Sequence, residues 1–88
     1  MAYEIVVKPS AQRDLDSLPL QEVKRLALHL SHLADDPRPF GVQKLTGTGG
    51  YRIRVGSYRI LYEVNDKSRM VLIYQIKHHR EAYRRTSH

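Results

Sequence analysis

Arg52, Arg54 and Arg59 stand on either side of Gly56-Ser57 in the run Tyr51-Arg-Ile-Arg-Val-Gly-Ser-Tyr-Arg-Ile-Leu-Tyr-Glu-Val64. Apolar residues alternate along both halves of this run, the pattern of half-buried strands. A two-residue connection with Gly first suits a type II′ turn and fixes the pairing. Val55 then faces Tyr58, Arg54 faces Arg59, Ile53 faces Ile60 and Arg52 faces Leu61. The three arginines fall on one side of the hairpin, and Tyr51, Ile53, Val55, Tyr58, Ile60 and Tyr62 fall on the other. Like charges placed directly opposite are destabilising. Two cations roughly 5 Å apart repel by about 1 kcal/mol in bulk water and about 3 kcal/mol at an effective dielectric of 20. A phosphate between the guanidinium groups turns that repulsion into bidentate attraction. The chemistry on offer is anion binding; the alternative is a solvated face whose long cations splay into water.

The distribution of charge points the same way. Residues 1–44 carry six Lys and Arg against six Asp and Glu, whereas residues 45–88 carry nine against three, so the whole formal charge of +6 falls in the second half. Such asymmetry points to a polyanion, most often nucleic acid. His78 and His79 are candidates for acid–base work, because histidine is the residue type whose charge ordinarily changes near neutral pH, with polar residues at a strand exit as the other reading. Rival chemistries find little footing. The chain lacks cysteine, which excludes a disulfide scaffold, a thiolate zinc site and a thiol nucleophile. His29 and His32 are short of further ligands for zinc. Gly47-Thr48-Gly49-Gly50 leads into a strand and lacks the Lys and helix of a phosphate loop, so it reads as a flexible connection. Asp14, Asp16, Asp35 and Asp36 sit at helix ends or on an exposed helix face, away from any paired-carboxylate site.

The elements that position these residues follow from periodicity. Tyr3 to Val7 reads as a strand ended by Lys8-Pro9. Ser10 as N-cap and the spacing of Ala11, Leu15 and Leu18 give a short helix. Pro19 opens a second helix with a stripe of Leu20, Val23, Leu26, Ala27, Leu30, Leu33 and Ala34, ended by Asp35-Asp36-Pro37. Residues 38–50 read as a loop around Leu45. The arginine hairpin follows, then a turn at Asn65-Asp66-Lys67-Ser68 and an apolar strand from Met70 to Ile76, with a helical turn near residues 81–84. The order β-α-α-β-β-β implies an α+β fold, two helices on one face of a small, mainly antiparallel sheet, with the other face open. At 88 residues the expectation is a single domain over residues 1–88. Apolar runs are too short to span a membrane and no signal-peptide pattern opens the chain, which makes the cytoplasm the default.

The hairpin run, followed by Ile76-Lys-His-His-Arg-Glu-Ala-Tyr-Arg84, resembles the RelE/ParE superfamily of type II toxins over nearly the whole chain. The resemblance implies the compact microbial-ribonuclease-like fold. The superfamily divides into a RelE-like branch of ribosome-dependent messenger-RNA endonucleases and a ParE-like branch that poisons DNA gyrase. The basic positions of the RelE-like branch are matched by Arg52, Arg54, Arg59 and Arg80, and its tyrosine by Tyr83. Lys77 and His79 stand where a common family form has glycine and arginine, which leaves both His79 and Arg80 as occupants of the last basic position.

On this resemblance Arg59 stabilises the transition state, Arg52 and Arg54 orient backbone phosphates, and Arg80 contacts the scissile phosphate or leaving group. Tyr83 stacks on a base or takes part in proton transfer, although a phenol near pKa 10 is a poor base at neutral pH; the bland reading is a core anchor. Lys44, Lys77 and Arg84 are further candidates for phosphate contacts. No metal or other cofactor is implied. The implied partners are the ribosome with its messenger RNA and a cognate antitoxin, acidic and partly disordered alone, that wraps the basic face. The rivals are a ParE-like gyrase inhibitor and a non-catalytic basic module that binds nucleic acid or an acidic protein.

Overall fold

The computed structural model describes residues 2–47 and 49–78. In chain order its elements are β1 (Glu4–Val7), α1 (Pro9–Asp16), α2 (Leu20–Asp35), β2 (Gln43–Lys44), β3 (Tyr51–Val55), β4 (Tyr58–Asn65) and β5 (Met70–His78). The strands form one sheet in the order β1-β5-β4-β3-β2. β1 runs parallel to β5 and the other pairs are antiparallel. The expected two helices on a small α+β sheet are present, with one strand more than expected. That strand, β2, lies inside the stretch read as a loop; two residues are too few to show alternation. It forms because the Leu45 N–H donates to the Gly50 carbonyl at 2.8 Å, closing the glycine-rich segment on itself. Gly50 is more than a flexible link there. A Cβ at this position would stand 3.1 Å from the Tyr74 hydroxyl and 3.2 Å from the Tyr62 carbonyl.

Pro9 opens α1, where its missing N–H is no loss and its φ is already helical, so the cap position falls on Lys8. Ser10 is therefore inside the helix and not its N-cap. Its hydroxyl donates instead to the Tyr74 carbonyl at 2.7 Å, and Asp14 Oδ2 accepts the Ile76 N–H at 2.9 Å. Because β1 pairs only with Met70–Ile73, these bonds let α1 satisfy the edge of β5 beyond the end of β1. Pro19 is the residue before α2 and not its first turn. The α2 stripe is narrower than its spacing suggests. Leu26, Leu30 and Leu33 are buried, whereas Leu20, at the start of the helix, is exposed.

The core joins Ala11 of α1 and the three leucines of α2 to Val55, Tyr58, Ile60, Tyr62, Val71, Ile73 and Ile76. These strand residues share the helix side of the sheet. The β3–β4 register is the one the Gly56-Ser57 turn requires. Gly56 takes φ +58° while Ser57 keeps a negative φ, the sign pattern of a type II′ turn. β4 and β5 carry a bulge: Leu61 pairs with Gln75 and Tyr62 with Ile73, leaving Tyr74 as the extra residue. The expected helical turn near residues 81–84 lies outside the described residues.

The linker from α2 to β2 is pinned at several points. Pro37 is buried, and its carbonyl accepts the Tyr62 hydroxyl at 2.7 Å; burial pushes that phenol's pKa upward, so it stays a donor. Arg38 forks onto Asp66 at 2.9 and 3.2 Å, donates to the Tyr51 hydroxyl at 2.9 Å and lies 5.2 Å from the centre of that ring. Tyr3 adds a third donor to Asp66 at 2.7 Å. Hydrogen bonds from Arg38 and then Tyr3 hold the Asp66 carboxyl below the usual carboxylate range. A depressed carboxylate stabilises the fold above its unfolded pKa, and that contribution is lost as pH falls through the lower folded value. The Tm of Asp66→Asn is accordingly expected to fall less than that of the parent between neutral pH and pH 3. The difference should shrink in high salt, since both partners are substantially exposed. Parallel Tm curves for the two proteins would remove this role for Asp66.

Candidate nucleic-acid interface

With the helices joined to one side of the sheet, the alternate positions of β3, β4 and β5 face the other way. Arg52 and Arg54 sit two apart on β3. Arg54 pairs with Arg59 on β4, and Arg59 pairs with Lys77 on β5. Three cations thus form one row across three strands, at an interstrand spacing of about 4.8 Å. Arg52 begins the neighbouring row, between Gln43 of β2 and Leu61 of β4.

Gly41, Gln43, Arg52, Arg54 and Arg59 line a cleft of about 390 Å³ on this face. Arg52 and Arg59 are half-buried and Arg54 and Lys77 exposed. Arg52 Nη2 donates to Gln43 Oε1, which fixes the guanidinium plane at the cleft wall. Among the described residues the ion pairs are Glu22 with Arg25 and Arg38 with Asp66, so no described carboxylate neutralises Arg52, Arg54 or Lys77. Guanidinium groups that line one cleft, as those of Arg52 and Arg54 do with no described carboxylate paired to them, suit a phosphate, whose oxygens match the planar fork.

The structure brings together four of the expected residues, Arg52, Arg54, Arg59 and Lys77. It separates two others. Lys44 pairs with Tyr51, one register position from Gln43, and so belongs to the helix side of the edge strand. His78 follows Lys77 and alternates inward, where it pairs with Tyr58. Its ring meets the Tyr58 ring edge to face, with centroids 4.8 Å apart. Period-two alternation therefore takes His78 away from a phosphate held by the arginine row. His79, Arg80, Tyr83 and Arg84 lie outside the described residues. Gln43 and Gly41 are cleft residues that sequence reasoning missed. The only signal for Gln43 was its place two residues after a glycine in a segment too short for periodicity.

The sequence model of the ParE toxin of type II toxin–antitoxin systems matches residues 5–83. Toxin RelG of Mycobacterium tuberculosis is 33% identical, over 97% of this chain and 100% of its own length. The RelE of the archaeal RelE–RelB complex from Pyrococcus horikoshii superimposes with a TM-score of 0.80 at 34% identity, covering 90% of this chain and 97% of that one. The RelBE2 toxin–antitoxin complex of M. tuberculosis gives a TM-score of 0.81 at 26% identity, covering 89% and 92%. Sequence and fold agree across nearly the full length, and the chain belongs to the ParE toxin family of type II toxin–antitoxin systems, within the RelE/ParE superfamily.

Proposed function

We propose that this toxin is a RelE-like endoribonuclease that cuts messenger RNA in the decoding site of the ribosome. One observation carries the reading: Arg54 directly opposite Arg59, flanked by Lys77 and Arg52, on the sheet face away from the helices. The substrate's own 2′-hydroxyl attacks the adjacent phosphorus and the 5′-oxygen leaves. The proton lost by the nucleophile passes to a base, and an acid supplies one to the leaving oxygen. Arg59 stabilises the extra negative charge of the five-coordinate phosphorus, while Arg52, Arg54 and Lys77 hold the flanking phosphates. Acid and base are assigned to the closing block, His79, Arg80 and Tyr83, on family resemblance. The ribosome supplies the strained, in-line substrate geometry, which is how a chain this small manages the reaction.

The relatives RelE of P. horikoshii and RelBE2 of M. tuberculosis are seen in complexes with antitoxins. By the same token the partner here is a cognate antitoxin, acidic enough to cover the arginine face, and the site of action is the cytoplasm, where translated messages are. The matched ParE family model supports a second reading, inhibition of DNA gyrase. Mapping RNA ends in translating extracts after toxin addition, alongside plasmid supercoiling, separates the two. New 5′ ends within translated codons with unchanged supercoiling are expected. Loss of supercoiling without new RNA ends would establish the gyrase reading, and neither change would leave a non-catalytic binding module.

A further inference from the structure

We propose that the groove beside Phe40 is a subsite for an unpaired nucleobase, next to the phosphate positions of the arginine cleft. This rests on the RNA-cutting reading and adds to it a place where a base is gripped.

Phe40 is the chain's single phenylalanine and its side chain is fully exposed, at 106% of the reference area. The exposure is built in. The Val42 N–H donates to the Pro39 carbonyl at 3.1 Å, and Gly41 takes φ +93°. Pro39, Phe40, Gly41 and Val42 therefore make a β-turn with glycine in the position that needs positive φ. Phe40 occupies the corner of that turn. The turn is anchored on both flanks, by Pro37 and Arg38 on one side and by Val42 packed against the core on the other.

The ring borders a groove of about 470 Å³ whose walls include Pro39 and Ile53, with the His29 and His32 imidazoles along the α2 side. Those imidazoles meet edge to face at 6.1 Å. Gly41 and Arg54 line this groove and the arginine cleft alike, so the two run into each other. A basic track opening directly onto an aromatic platform is the arrangement by which single-stranded nucleic acid is held. The phosphate lies on the cations and the attached base stacks on the ring. The imidazole nitrogens can meet the polar edge of that base. Arg54 at the shared mouth gives the groove the charge that suits a nucleotide rather than an uncharged apolar segment.

The test uses a fluorescent hexaribonucleotide and an abasic strand with the same number of phosphates, with affinity measured across a salt series. Phe40→Ala is expected to weaken binding of the intact RNA about five- to hundredfold, the range for loss of one base–aromatic stack. The salt slope, which counts phosphate contacts, should stay unchanged, and both proteins should bind the abasic strand equally. Phe40→Trp should restore affinity for the intact strand. If Phe40→Ala binds the intact RNA as tightly as the parent, the subsite is overturned while the parent's salt-dependent RNA binding still stands. If the variant loses only antitoxin affinity, Phe40 is a protein anchor and the subsite is likewise overturned. A parent that binds neither strand also overturns the subsite, while the appearance of new RNA ends in translating extracts decides the RNA-cutting reading separately.

Discussion

Arg59→Ala is expected to slow message cleavage in a translating extract by about a hundred- to a thousandfold, the usual loss when one charge-stabilising donor is removed from a transition state. Arg59 is central in its row, with Arg54 on one side and Lys77 on the other. Its side chain is half-buried and lines the cleft. Removing it also relieves like-charge repulsion with Arg54 and Lys77, so the folded state should survive and Tm should move by only a few degrees. Arg59→Lys keeps the charge but loses the planar fork, and it should recover only part of the rate, remaining about tenfold slow. The decisive comparison is single-turnover cleavage on programmed ribosomes with circular dichroism on the same samples. Cleavage by folded Arg59→Ala at the parental rate would take the catalytic role away from this residue.

The position of Arg59 was readable because a two-residue turn leaves no freedom of register: once Gly56-Ser57 is assigned, every β3–β4 pair follows. The third member of the row was not readable from pairing. β5 is uniformly apolar from Met70 to Tyr74, so it shows no alternation to phase. Val71 and Ile73 point to the core, yet so do Ile76 and His78 after them, because the bulge at Tyr74 inserts one residue and reverses the phase. Had regular alternation continued from Ile73, Lys77 would point inward and His78 outward, onto the face that carries Arg59. The acid–base role considered for His78 thus turns on a bulge for which local sequence gives no sign. Lys44 eluded reading for a related reason, since a two-residue strand has no period. Ser10 is a good cap by residue type, but Pro9 one residue earlier is a better helix start and moves the cap to Lys8. What remained legible was the pattern repeated over many residues, namely the α2 stripe, the hairpin alternation and the charge of the second half.

Arg54→Glu is expected to move stability and activity in opposite directions. In the native pairing Arg54 and Arg59 stand directly opposite, and like charges so placed destabilise while opposite charges contribute roughly 0.2–1 kcal/mol. Reversing one charge should therefore raise Tm by a few degrees at low ionic strength, an advantage that fades as salt screens the exposed side chain. The same substitution puts a carboxylate into the cleft where a phosphate belongs, and cleavage should drop by about a hundredfold or more. Arg54→Gln, neutral in both respects, should fall between the two in Tm and activity. A sheet selected only to fold would choose the glutamate, whereas one selected to hold a polyanion tolerates the repulsion until the anion arrives. A lower Tm for Arg54→Glu, or undiminished cleavage, would mean that the pair of arginines is not held together for a phosphate.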